Sequence, residues 1–332
     1  MARRALVTGS AGFIGYHLCR RLLSEGWEVT GLDALTPYYD IRLKERRQAM
    51  LLQSPGFRAV QGRVETPGLV AGLAEGAEAV IHLAAQAGVR HSIEAPQSYV
   101  EANIQGTFAV LEAARAHPPG HLLIASTSSV YGANREMPFT ETHRADHPLS
   151  FYAATKKAGE AMSHAYAHLF RIPTTQFRFF TVYGPWGRPD MALFRFTAAI
   201  LNGEPIDVYN HGEMRRDFTY VDDLVTGIAR LIDTPPGGGP VCAADSLSPD
   251  APHRIVNIGT GSPVALTDFI AAIEAATGRQ ALRRMLPMQA GDVPVTWADA
   301  SLIEALTGPL PRTPVAEGVR RFVDWYREYH GT

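Results

Sequence analysis

The sequence predicts an α/β fold, a doubly wound parallel sheet with a second, smaller α/β domain after it. Three observations predict it. Short apolar runs alternate with longer amphipathic ones through the first half of the chain, the pattern of strands joined by crossover helices. A glycine-rich turn follows the first apolar run. The alternation then loosens after about Thr181, and 332 residues are ample for two intimate subdomains.

Strands are expected at Ala5–Thr8, Glu28–Leu32, Phe57–Gln61, Ala79–Leu83, His121–Ser126 and Thr174–Phe179. Each is short and largely apolar, as strands buried on both faces are. Helices are expected at Phe13–Ser24, Gln97–Ala116 and Phe151–Phe170. Right-handed crossovers then place the loops after the strands along one edge, where ligands bind. Proline and glycine cluster at 184–189 and at 234–240, and the second cluster reads as an exposed loop on the smaller domain. Val315–His330 has apolar residues at helical spacing and is expected to close that domain.

Composition excludes several classes. The net charge of −2 provides no basic field for nucleic acid or an anionic membrane. Hydrophobic (46%) and charged (19%) fractions are those of an ordinary globular protein. The two cysteines, Cys19 and Cys242, offer neither a disulfide framework nor zinc spacing. No signal peptide or membrane-spanning run is visible, so the expected location is the cytoplasm.

The turn after the first strand reads Gly9-Ser10-Ala11-Gly12-Phe13-Ile14-Gly15 and opens the first helix. Glycines at this spacing let the backbone approach a pyrophosphate at a helix N-terminus. Asp33 ends the second strand, where a ribose-binding carboxylate belongs; the alternative is a turn residue. No basic residue follows it until Arg42, which favours NAD over a 2′-phosphorylated dinucleotide. These features make the first domain Rossmann-type.

Tyr152 and Lys156 are four apart in a predicted helix and share a face. A free phenol has a pKa of about 10, and nearby positive charge from the ammonium and an oxidised nicotinamide would favour the phenolate. Tyr152 then serves as a base toward a hydroxyl. The spacing becomes specific only together with the glycine loop and the hydroxyl cluster Ser126-Thr127-Ser128-Ser129 at the end of the fifth strand.

These residues resemble the extended short-chain dehydrogenase/reductase superfamily, and within it the UDP-glucuronate 4-epimerases. The resemblance is carried by Gly9–Gly15, Tyr38-Tyr39-Asp40, His82–Ser92, Ser126–Gly132, His147–Glu160, Arg178–Ala192, Arg215–Asp223 and Gln289–Asp299, essentially the whole chain. It implies an NAD-binding Rossmann domain over 1–180, to which parts of 217–260 return, and a UDP-sugar domain over 181–330. It also implies a closed hydride cycle at sugar C4 with tightly bound NAD, and a homodimer through helices of the first domain. Tyr152 is then the base, Thr127 holds the reacting oxygen, and Lys156 tunes the tyrosine and anchors the ribose. Nucleotide contacts extend to Phe13, Ile14, Leu83, Ala84, Ala85 and Asn103.

The same resemblance separates sister reactions. Related 4,6-dehydratases carry an Asp–Glu pair at Ser128-Ser129, and related decarboxylases a glutamate at Ser129. Neutral hydroxyls there suit a bound carboxylate, which a glutamate would repel. Thr181, where many relatives have asparagine, points the same way. Arg188 is expected to clamp the sugar and Arg216 to meet the diphosphate. Arg90 joins that pocket or forms a structural ion pair; Tyr209 stacks on uracil or packs on a strand; Asp292 holds the uridine ribose or makes a turn. His82 and His17 read as structural. Arg63 departs from the aspartate usual near adenine. The alternatives left open are a UDP-glucose 4-epimerase, a decarboxylase, and a non-catalytic nucleotide-sugar binder.

Overall fold

The computed structural model describes residues 2–289 and 293–331. In chain order the elements begin β1 (Arg4–Thr8), α1 (Phe13–Ser24), β2 (Glu28–Asp33), α2 (Ile41–Leu51), β3 (Phe57–Gln61), α3 (Leu69–Ala74) and β4 (Ala79–His82). Then come α4 (His91–Glu94), α5 (Pro96–Tyr99), a π-helical segment (Val100–Gln105), α6 (Gly106–Ala116), β5 (His121–Ala125), α7 (Phe151–Phe170) and β6 (Thr174–Phe179). The chain continues with β7 (Thr181–Tyr183), α8 (Ala192–Asn202), β8 (Pro205–Val208), β9 (Arg215–Tyr220), α9 (Val221–Ile232) and β10 (His253–Ile258). It ends with β11 (Pro263–Ala265), α10 (Leu266–Thr277), β12 (Leu282–Met285), β13 (Val295–Thr296), α11 (Ser301–Thr307) and α12 (Val315–His330).

Seven parallel strands form the main sheet in the order β10-β6-β5-β4-β1-β2-β3. Both faces are buried, and the pleat divides each strand between them. Ala5, Val7, Ile81, Leu123 and Ala125 pack with α1 and α9 residues on one side. Leu6, Val80, Leu122 and Ile124 pack with α3 and α6 residues on the other. Strand order reverses between β1 and β4, which opens a crevice beyond their carboxyl ends.

The smaller sheet joins β11, β9 and β13, with β7 also pairing β9, and β8 pairs β12 separately. Its core is aromatic: the Phe218 and Phe269 rings stack 3.9 Å apart at 2°, and α12 covers them with Phe322 and Trp325.

Two expectations change. The helix expected over Gln97–Ala116 is interrupted by the π-helical segment. The extra residue per turn re-aims Asn103 inward, where it is 1% exposed. The glycine–proline cluster at 234–240 joins α9 to β10 of the main sheet, because Leu224, Ile228 and Leu231 pack α9 into the core with α1; it does not belong to the smaller sheet.

Candidate active site

The glycine turn is built for close approach. Gly9 sits at φ +74°, and a Cβ there would lie 2.8 Å from the Ala84 amide nitrogen. A Cβ at Gly15 would lie 2.0 Å from the Gly9 carbonyl oxygen. Gly12 caps α1 without a side-chain bond, so the first-turn amides remain for an anion. The Asp33 carboxylate accepts from the Ala11 amide at 3.0 Å and the Leu35 amide at 2.8 Å. Each oxygen keeps lone-pair capacity for a ribose hydroxyl. Phe13 and Ile14 follow in α1, and Leu83–Ala85 form the facing loop after β4. This cradle fits a dinucleotide.

Asn103 ties that facing loop to α7. Its Oδ1 accepts from the Gln86 amide at 2.8 Å, and its Nδ2 donates to the Gln86 carbonyl at 3.1 Å and Thr155 Oγ1 at 3.0 Å. His82 below is buried between Thr8 Oγ1 at 2.8 Å and Thr107 Oγ1 at 3.4 Å. Burial, with Lys156 nearby, pushes it down to about 3, so it stays neutral and structural. Arg63 pairs with Glu65, and with Glu101 of the π-helical segment at 3.3 Å. His17 is buried between the Pro185 carbonyl and Asp222.

Ser150 caps α7 by accepting from the Ala153 amide at 3.1 Å, which starts the helix just before Tyr152. Tyr152 is 8% exposed. Burial pushes its phenol up, while a hydrogen bond with Thr127 and the charge of Arg188 pull it down. The nearby cation acting on the phenol is thus Arg188, from the loop after β7. Lys156 donates its Nζ to the Ala125 carbonyl at 3.0 Å, and burial lowers it to about 8. Thr127 opens a tight 3-10 turn over Ser128–Tyr131, accepting from the Ser129 amide at 3.2 Å and donating to Ser129 Oγ at 3.3 Å. Thr127 thus joins the Tyr152 phenol to the turn that carries Ser128 and Ser129.

Arg188 forms a bidentate pair with Asp190, its Nε 3.0 Å from Oδ1, and lies 5.9 Å from the centre of the Tyr38 ring. Tyr38 also donates to Asp190 at 3.3 Å. Thr181 and Arg188 line one cleft with Phe13, Met191 and Phe322. Farther out, the Arg90 guanidinium lies 5.1 Å from the centre of the Tyr209 ring. Arg216, on β9, donates to the Pro294 carbonyl at 3.0 Å. Asp292 lies outside the described residues. No cluster of metal-ligating side chains occurs among the described residues.

Sequence reasoning missed the support beneath this site. Glu160, one turn beyond Lys156, accepts from Ser126 Oγ at 2.7 Å and from Arg178 at 2.8 and 2.7 Å. The two side chains are 2% and 1% exposed. Burial alone would raise Glu160, but Arg178 outweighs it and holds the carboxyl at about 2. Arg178 also lies 4.6 Å from the centre of the Tyr131 ring. Both residues stand within recognisable motifs, but only the packing of α7 against β6 shows that they meet. Asp190 was detectable, two residues after Arg188.

The fold and site define the class: the chain belongs to the NAD dependent epimerase/dehydratase family, which residues 5–259 match. Among its relatives, a "Probable UDP-glucuronate 4-epimerase" of Rhizobium meliloti (strain 1021) is 57% identical over 329 residues, 97% of this chain and 96% of that protein. UDP-glucuronate 4-epimerase 2 of Arabidopsis thaliana is 44% identical, over 98% of this chain and 76% of the relative. The crystal structure of UDP-glucuronic acid 4-epimerase from Bacillus cereus, with UDP-glucuronic acid and NAD, superposes with a TM-score of 0.89. That protein is 32% identical, and the match covers 98% of this chain and 99% of that one.

Two outcomes follow. Glu160→Gln strips Arg178 of its counter-charge and is expected to cost about 3–5 kcal/mol in urea denaturation; a loss below about 1 kcal/mol would contradict the buried-pair account. Lys156 has its pKa depressed from 10.5 to about 8 in the folded chain. Below that range folded and unfolded chains both hold the proton, and the fold bears the cost of the buried charge. As pH rises through the window, the folded state releases its proton first and the cost disappears. Nucleotide-free Lys156→Met is therefore expected to be more stable than wild type at pH 7, with the advantage shrinking from pH 8 to 10.5. Denaturation across that pH series checks it.

Proposed function

We propose that this chain interconverts UDP-glucuronate and UDP-galacturonate by inverting sugar C4 through a 4-keto intermediate, with NAD as its cofactor. The observation that carries this reading is the hydroxyl cluster at Tyr152. Thr127 meets the phenol, and Ser128 and Ser129 stand where carboxylates would serve elimination or decarboxylation. The likeness to the Rhizobium and Bacillus proteins supports it.

The chemistry a bound NAD supplies is reversible acceptance of the C4 hydride. The chain's residues do the remainder. Tyr152 takes the C4 hydroxyl proton while Thr127 holds that oxygen, and on return Tyr152 gives the proton back. Burial resists formation of the phenolate, and the hydrogen bond from Thr127 and the positive charge of Arg188 favour it. Ser128, Ser129 and Thr181 donate to the sugar carboxylate without opposing its charge. Arg188 covers the sugar, and Arg90, Tyr209, Arg216 and Asp292 receive the UDP end. Gly9, Gly12, Gly15, Phe13, Ile14, Asp33, Leu83–Ala85 and Asn103 hold the dinucleotide with Tyr152 and Lys156. In this reading 1–180, with β10 returning to its sheet, forms the dinucleotide domain, and 181–330 supplies the sugar-nucleotide domain.

A cytoplasmic homodimer through α6 and α7 fits the exposed Phe108 and Leu169, at 52% and 68%. Among the described residues no helix is long and apolar enough to cross a membrane.

Purified protein given UDP-glucuronate and no added NAD is expected to form UDP-galacturonate, followed by NMR. A UDP-pentose product, or net NADH, would overturn the assignment. The 4-keto uronic acid is a β-keto acid, which loses carbon dioxide fastest when the breaking bond aligns with the carbonyl π system. Fixing the carboxylate keeps it out of that alignment. Ser128→Ala and Ser129→Ala are therefore expected to release pentose and to lose epimerase activity; variants with full activity and no pentose would refute the role.

A further inference from the structure

Arg47 on α2 has no place in the chemistry above, yet it is 0% exposed. Its Nη1 donates to the Ala11 carbonyl of the glycine loop at 3.0 Å and to the Tyr39 hydroxyl at 2.9 Å. Its Nη2 donates to the Trp186 carbonyl at 2.5 Å and reaches the Gly187 carbonyl at 3.5 Å. Its Nε finds no hydrogen-bond partner among the described residues. Burying a cation against carbonyls is costly, and packing alone would be served by an apolar side chain. What the guanidinium adds is a rigid planar fork that holds two carbonyls at a set separation.

The far end of the fork meets a strained segment. Trp186 has φ +61°, a left-handed conformation unfavourable for a bulky residue. The same segment is pinned from α1. His17 Nε2 lies 3.0 Å from the Pro185 carbonyl, and the Tyr16 ring meets Trp186 edge-on at 5.8 Å. Arg188, whose charge acts on Tyr152, comes two residues later.

We propose that Arg47 is a positioning residue that couples the glycine-rich loop to the 184–190 segment, so that the dinucleotide cradle and the sugar-covering Arg188 are set together. This rests on the reading of the two sites given above. Ordering the loop at Ala11 orders Trp186 through one side chain, and the linkage is reciprocal. Lysine has a single ammonium and reaches one carbonyl group or the other, without the fork.

The test compares purified holoenzyme with Arg47→Lys and Arg47→Met by hydrogen exchange, NAD retention on gel filtration, and kinetics with UDP-glucuronate. Amides of residues 10–12 and 186–188 are expected to exchange faster together in both variants, with β5 and α7 unchanged. NAD is expected to be lost on the column. With saturating NAD restored to the assay, KM for UDP-glucuronate is expected to rise about tenfold, as for a lost hydrogen bond to a charged group, while kcat changes less than about threefold. A purely structural role would lower Tm and leave KM alone. Wild-type exchange in both segments, loosening of one alone, or an unchanged KM overturns the coupling. Tyr39→Phe removes only one hydroxyl, and it decides the point if both arginine variants fail to fold: both loops loosen, or the coupling is wrong. If wild type does not turn over UDP-glucuronate, the function falls, and the exchange data still decide the coupling.

Discussion

The buried Glu160–Arg178 pair is the constraint on which the site geometry rests. α7 carries Tyr152 and Lys156, whereas Thr127, Ser128 and Ser129 stand on the turn after β5. These are separate elements, and small slippage between them would part phenol from hydroxyl. Glu160 closes the gap by bonding Ser126 on one side and Arg178 of β6 on the other. Such a pair seldom adds net stability over apolar packing. Its directional bonds instead set helix against sheet at one register, which supports positioning of reacting groups.

The same trade recurs outward from that pair. Lys156 keeps a buried amine, tied to the Ala125 carbonyl, at a cost in stability. Asn103 is turned inward by a π-helical segment, and satisfies Gln86 and Thr155 at once. Arg47 bridges the glycine loop and the Trp186 segment. Each polar group buried near the switch point joins two elements, which is how a crevice between sheet and smaller domain holds a defined shape.

Much of this was legible in the residues. The strand runs, the glycine turn, the acid at the end of β2 and the Tyr–Lys spacing are local patterns, and period and turn chemistry express them directly. The helix over Phe151–Phe170 was visible for the same reason. The π-helical interruption was not, since it depends on where Asn103 must point. Nor was the place of the 234–240 loop, which follows from how α9 packs with α1.

Sequence by itself determined the doubly wound class, the glycine-rich cofactor loop, and the run of neutral hydroxyls that follows β5. Only the tertiary structure decided which charges act on which groups. Arg188, rather than Lys156, pulls on the buried phenol, and Arg178 meets Glu160 across two elements. The reason is physical: electrostatic effects depend on distance and burial in space, and residues far apart in sequence become neighbours only once the sheet and the smaller domain close around the crevice.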